Sequence, residues 1–186
     1  MASYVDESMD KNLEGDSLRW NNWMSVLSTI RSCQSCVDKH GKIFDANDYL
    51  PEEYLTRHIR CLCKLCPMRT IMAGEATDQG INGADWYLAY YGFLPDGYIT
   101  KEEAEDAGWI PKKKNLNKVL PGYMIGGNEY QNNNQKLPIK VGRKWYEADF
   151  NYTEGKMNSL RIVYSNDNLI FVSHDHFKTF YEIIKD

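Results

Sequence analysis

The residue pattern predicts an α+β architecture, because short capped helices occupy the middle of the chain and β-rich runs of period two follow them. A cysteine-rich stretch upstream marks a second, smaller module. The chain divides on this reading into a disordered N-terminus (1–15), a Cys/His module (16–73), a linker (74–83) and a C-terminal body (84–186).

Residues 1–15 hold too few apolar side chains to offset the entropy of ordering. Asp16 or Ser17 can then cap a helix on which Trp20, Trp23, Met24, Leu27 and Ile30 share one face. From Arg31 to Arg69 no periodicity persists, and the polar, glycine-rich run GEATDQGING (74–83) reads as a boundary. Beyond it, ADWYLAYY reads as a helix stopped by Gly92, and Leu94-Pro95-Asp96-Gly97 as a turn. In TKEEAEDAG, Thr100 and Glu103 form a capping box and Gly108 ends the helix; NLNKVLPG is a third short helix closed by Pro121 and Gly122. KWYEADF, LRIVYS and NLIFVS are strands, separated by NYTEGKMNS and by the Asn166-Asp167-Asn168 turn.

With 186 residues, 42% of them hydrophobic and 13% aromatic, the chain can build a packed core. It contains no run of about 18 apolar residues, and its acidic, polar start lacks the features of a secretory leader, so neither membrane spanning nor export is expected. The net charge is −4, with 9 Lys/Arg against 12 Asp/Glu in residues 1–83 and 13 against 14 in 84–186. Neither part is basic. Binding of nucleic acid through a global field is thereby excluded, and any such contact needs a local cluster. Lys112, Lys113, Lys114 and Lys118 are one such cluster, or else a solvated loop.

All five cysteines fall between residues 33 and 66. Cys33-x-x-Cys36 sets two thiolates on one turn, and His58-x-x-Cys61-x-Cys63 offers further donors two dozen residues later, which is zinc-finger-like spacing. The favoured set is Cys33, Cys36, His58 and Cys61, with Cys63 as chief rival and Cys66 as a further donor; buried free thiols are the alternative. So thiolate-rich a site is structural, and its zinc would take no part in catalysis. The order W…CxxC…HGKIF…HxxCxC, over about residues 20–66, resembles the C-terminal part of phage Mu F-like head morphogenesis (minor capsid) proteins.

GYITKEEAEDAGW, NLNKVLPG, IGG, KLP, GRKWYEADFNYT, RIVYS and DHF run in the order and spacing of the barnase-type microbial ribonucleases, a resemblance that covers about residues 80–186. It implies three helices packed on a twisted antiparallel sheet and an enzyme of the guanyl-specific class. RNA cleavage without a metal needs a base for the ribose 2′-OH, an acid for the departing 5′-oxygen and cations for the phosphoryl charge. By resemblance the base is Glu147, the acid is His176, which follows an aspartate where His174 does not, and the phosphate-binding cations are Arg161 and Lys101. An aspartate behind the arginine, Asp149, would fix its orientation.

The departures carry their own expectations. Met157 stands where the family has a second active-site arginine, and the adjacent Lys156 is the candidate replacement. Phe177 stands in place of a tyrosine. The base-recognition loop reads Gln131-Asn132-Asn133-Asn134, without the family's arginine and glutamate, so base preference should be weakened or altered; Asn132, Asn133, Asn134, Lys156 and Phe177 complete the expected substrate-binding set. The resemblance further implies an endoribonuclease toxin, delivered or phage-associated and acting in a bacterial cytoplasm, with RNA as substrate and a barstar-like acidic inhibitor as partner. The alternative is a phage structural or docking module whose ribonuclease fold is inactive.

Overall fold

The computed structural model describes residues 20–24, 40–45, 64–152 and 158–186, with the backbone alone at 21–24 and 64–65. The N-terminal 1–15, the expected zinc donors Cys33, Cys36, His58, Cys61 and Cys63, and the pair Lys156 and Met157 lie outside the described residues.

The helical part follows its local signals. α1 (Ala84–Tyr91) ends at Gly92, which takes the left-handed conformation. α2 (Lys101–Asp106) begins at a complete capping box, in which Thr100 Oγ1 accepts from the Glu103 amide and Glu103 Oε2 accepts from the Thr100 amide. α3 (Leu116–Val119) is a single turn closed ahead of Pro121. Lys112, Lys113, Lys114 and Lys118 around it are all exposed. Among the described residues no helix is long and apolar enough to cross a membrane.

Seven strands form one sheet, β4 (Thr70–Met72), β5 (Tyr98–Ile99), β6 (Met124–Tyr130), β7 (Trp145–Asp149), β8 (Arg161–Ser165), β9 (Ile170–Ser173) and β10 (Tyr181–Ile184), in the order β4-β10-β9-β8-β7-β6-β5. The expected antiparallel sheet is corrected here to a mixed one. β6 to β10 form an antiparallel meander, but β5 runs parallel to β6 and β4 parallel to β10 at the two edges. Parallel pairing at β5 follows from its connection, since α2 and α3 carry the chain back across before β6 begins.

Two further readings change. The helix expected from Asp16 onward is instead, over Trp20–Met24, a strand β1 that lies between β2 (Ile43–Asp45) and β3 (Lys64–Pro67) in a separate three-stranded antiparallel sheet. Trp and Asn have weak helix propensity, and ladder partners on both sides override an apolar spacing that two periods can share over five residues. The stretch expected to be a linker, 74–83, is part of the C-terminal body. β4 joins the sheet just before it, and the fully buried Asp85 accepts hydrogen bonds from Gly74 N (2.7 Å), Ala76 N (3.0 Å) and Thr77 Oγ1 (2.6 Å). Polarity suggested an exposed connection, yet the polar groups converge on one buried carboxylate.

Asp85→Ala should therefore lower stability by about 2–4 kcal/mol, the scale for stranding several buried donors. A urea titration checks this: a lower midpoint at unchanged slope is expected, whereas a freely linking 74–83 segment would leave the midpoint in place.

Candidate active site

Alternation along β7 and β8 gives the sheet two faces with different tasks. Phe150, Ile162 and Val172 belong to a core that includes Ala84 and Leu88 of α1. The opposite face carries Glu147, Asp149 and Arg161 at one end, and at the other a second core of Trp145, Val163 and Phe171 with Leu137 and Phe180.

Asp149 and Arg161 are directly opposite in the β7–β8 register, and both side chains are less than a tenth exposed. Arg161 Nε lies 3.0 Å from Asp149 Oδ1, while Nη1 donates to the carbonyls of Asn158 (2.8 Å) and Leu160 (2.7 Å). The guanidinium plane is thus fixed from two sides. Burial pushes the Asp149 carboxyl up to about 6 and outweighs the attraction of Arg161; Glu147, Lys101 and His176 also act on it.

Two residues before Asp149 along β7, Glu147 Oε1 accepts a 2.5 Å bond from Lys101 Nζ. Lys101 is the first residue of α2, and its amide donates to Asn128 Oδ1 (3.1 Å), the residue paired with Glu147 across β6–β7. A bulge between Gly126 and Asn128 makes this approach possible, with Gly127 at φ +90°. A Cβ on Gly126 would come within 2.6 Å of the Tyr98 ring and 2.8 Å of Ala148, so glycine lets β5 and β7 close on β6. The Tyr98 hydroxyl donates to the Asp149 carbonyl (2.9 Å), and burial, then Asp149, holds that phenol well above its usual range.

His176 sits on the turn after β9. His176 and Phe177 both have left-handed backbone, at φ 58° and 65°. The turn is held by Asp175, whose carboxylate accepts from Ser173 Oγ, the Lys178 and Thr179 amides and Thr179 Oγ1; burial works against its charge, but these bonds keep it below the usual carboxylate range. The His176 amide donates to the Ser159 carbonyl (3.0 Å), which ties the turn to the segment leading into β8. Phe177 bridges His176 (4.9 Å between rings) and Tyr130 (4.9 Å), and burial, then Glu147, raises the Tyr130 phenol. Lys101, Glu147 and Arg161 are therefore neighbours on one face, and the charge of His176 is felt there at Asp149. His174 packs elsewhere, against Phe150 and Tyr181.

The loop expected to receive a base is built mainly by its own asparagines. Asn132, at φ 42°, closes the loop by bonding both the amide and the carbonyl of Leu137. Asn134 Oδ1 accepts from the Lys136 amide (3.2 Å), and Asn133 is exposed. Residues the sequence reading passed over are Asn128, Asp175 as the clamp of the histidine turn, and Lys136. Only the double glycine before Asn128 could have signalled its place, by marking a bulge.

A carboxylate beside a lysine, a fixed guanidinium and an imidazole on a constrained turn are chemically able to exchange protons and to hold an anion. Comparison with known proteins defines the group more closely. The family model described as ribonuclease matches residues 87–184, more than half of the chain, and the chain belongs to the ribonuclease family. A ribonuclease of Heyndrickxia coagulans is 47% identical over 102 residues, which are 55% of this chain and 94% of that protein. Ribonucleases of Bacillus intermedius and Bacillus pumilus are each 47% identical over 102 residues, 63% of their own length.

The raised Asp149 carboxyl has a sign that can be measured. The folded state holds this proton up to about pH 6, whereas the unfolded chain releases it near the ordinary carboxylate value. Stability of the wild type relative to Asp149→Asn should therefore fall as pH rises from about 4 to about 6 and level off above. Urea midpoints of the two proteins across that interval check it, and a difference that stays flat contradicts the assignment.

Proposed function

We propose that this chain is an endoribonuclease that cleaves single-stranded RNA by transphosphorylation, in the manner of a toxin directed at a bacterial cytoplasm. The observation that carries the reading is the Lys101–Glu147 contact set beside the Asp149–Arg161 pair on the face that also receives the His176 turn. Glu147 takes the proton of the ribose 2′-OH as O2′ forms its bond to phosphorus. The P–O5′ bond breaks, and His176 donates a proton to the leaving oxygen. The products are a 2′,3′-cyclic phosphate and a free 5′-hydroxyl. Arg161 and Lys101 hold the phosphoryl oxygens as charge builds on them. Water can open the cyclic ester with the two proton roles exchanged.

Base preference is proposed to be looser than the family's guanyl selectivity, because Asn134 carries no charge to pair with a guanine edge and is engaged within its loop. An acidic inhibitor of the barstar kind is the proposed partner, since a producer must block such a site and a cluster of cations suits acidic side chains.

Wild-type chain with EDTA present should cleave a defined oligoribonucleotide set after more than one base. Glu147→Ala and His176→Ala should each reduce kcat by about 10²–10⁴-fold. Activity that survives in both variants, or vanishes with the chelator while the protein stays folded, contradicts the mechanism; strict cleavage after guanosine contradicts the reading of the loop.

A further inference from the structure

We propose that residues 40–43, which precede the family-matched segment, form a strap that positions the catalytic-histidine turn and the base loop through Lys136. Its meaning for catalysis rests on the ribonuclease reading, whereas the contact itself rests on geometry alone.

Three segments meet at one half-buried ammonium. Lys136 Nζ donates to the carbonyls of Lys178 (2.8 Å) and Phe177 (3.4 Å), the two residues after His176. The Lys136 carbonyl in turn accepts from the amide of Ile43, the first residue of β2 (2.9 Å). Gly41 is buried at φ +78°, and a Cβ there would lie 2.9 Å from the Lys178 carbonyl oxygen and 3.5 Å from Lys136 Nζ. The strap is seated so closely on the turn that only a glycine fits.

The seat is anchored from below. Trp20, Ile43 and Met68 are buried in the same core as Leu137, Phe171 and Phe180, and both Tyr130 and Phe177 pack against it. Trp20 Nε1 donates to Glu182 Oε1 of β10 (2.9 Å). The Heyndrickxia coagulans relative has 94% of its length inside the match, which leaves it almost no chain with which to build a counterpart.

Why a turn needs such support follows from its backbone. Two successive non-glycine residues in the left-handed region are costly, and they persist only where the surroundings over-determine them. Asp175 supplies part of that constraint from inside the turn. The Lys136 bridge, backed by the strap, supplies the rest from outside, so the imidazole of His176 and the loop 131–137 keep a fixed spacing. Lys136 and Gly41 are positioning residues; neither touches the reacting atoms in this account.

Gly41→Val, Lys136→Met and the double variant test this in the full chain, with a short fluorogenic oligoribonucleotide as substrate and amide hydrogen exchange as a second readout. Each single variant is expected to lower kcat by roughly 10- to 100-fold with little change in KM, as a displaced catalytic group does. The His176 and Phe177 amides should exchange faster while those of β8 keep their protection. The double variant should be no worse than the worse single, because both changes break one linkage. Should Gly41→Val fail to fold, Lys136→Met carries the kcat and exchange readouts. Unchanged exchange at the turn, an unchanged kcat, or losses that multiply would overturn the strap. A wild type that cleaves nothing, with exchange still responding, would overturn the ribonuclease reading and leave the contact standing.

Discussion

A carboxylate and a guanidinium face each other across β7 and β8, both nearly removed from water, and the arrangement of the site depends on that pair. Asp149 uses one oxygen toward Arg161, while its other oxygen, Oδ2, is buried with no partner among the described residues. Such a pair adds little net stability, since desolvation consumes most of the Coulombic gain. Its value is directional. A guanidinium whose Nε faces Asp149 and whose Nη1 is bound to two carbonyls cannot turn away, and its fixed plane defines where an anionic group can lie.

The other charged groups reach the same place by different structural routes. Lys101 arrives at the start of a capped helix, Glu147 in mid-strand, and His176 on a turn with left-handed backbone. The Gly126–Gly127 bulge reconciles the first two, because it shifts the register by one residue and aims Asn128 at the Lys101 amide. Tyr98 then fastens β5 to the backbone of Asp149. Precision at this site comes from backbone irregularities at and beside the antiparallel meander of β6 to β10.

Much of this was legible in the sequence, and the limits have physical causes. The α1 and α2 boundaries carry their own signals, Gly92 for one and the Thr100/Glu103 box for the other, so local chemistry sufficed. The strands β7, β8 and β9 showed alternation or continuous β-branched runs. β6 was hidden by its glycines and β10 by its polar surroundings, for a strand whose bulge matters more than its side chains has no clean period. β1 was misread because a five-residue window of Trp, Asn and Met cannot separate a helix from a strand when the deciding partners lie some twenty and forty residues away. Glu147, Arg161 and Lys101 were reached through family resemblance, since a strand glutamate or a helix-start lysine is unremarkable alone. Lys136 had no signal at all: its role exists only where three distant segments converge.

That convergence bears on what counts as a domain in this chain. Composition placed Trp20, Ile43 and Met68 in a module of their own, yet each is at most 5% exposed and sits in one core with Trp145, Phe171 and Phe180. Burying side chains of this size contributes on the order of 1.5–3 kcal/mol apiece, enough to couple their folding to that of the sheet they cover. The sheet face therefore has two halves with opposite demands. The half under Trp20 and Met68 is dry, whereas the half around Glu147 carries charged side chains. Where the two meet, the chain places Lys136 and the His176 turn, groups polar enough to border solvent and constrained enough to hold a geometry. The edge of an apolar core is a natural place for such a site, because rigidity comes from one side and access from the other.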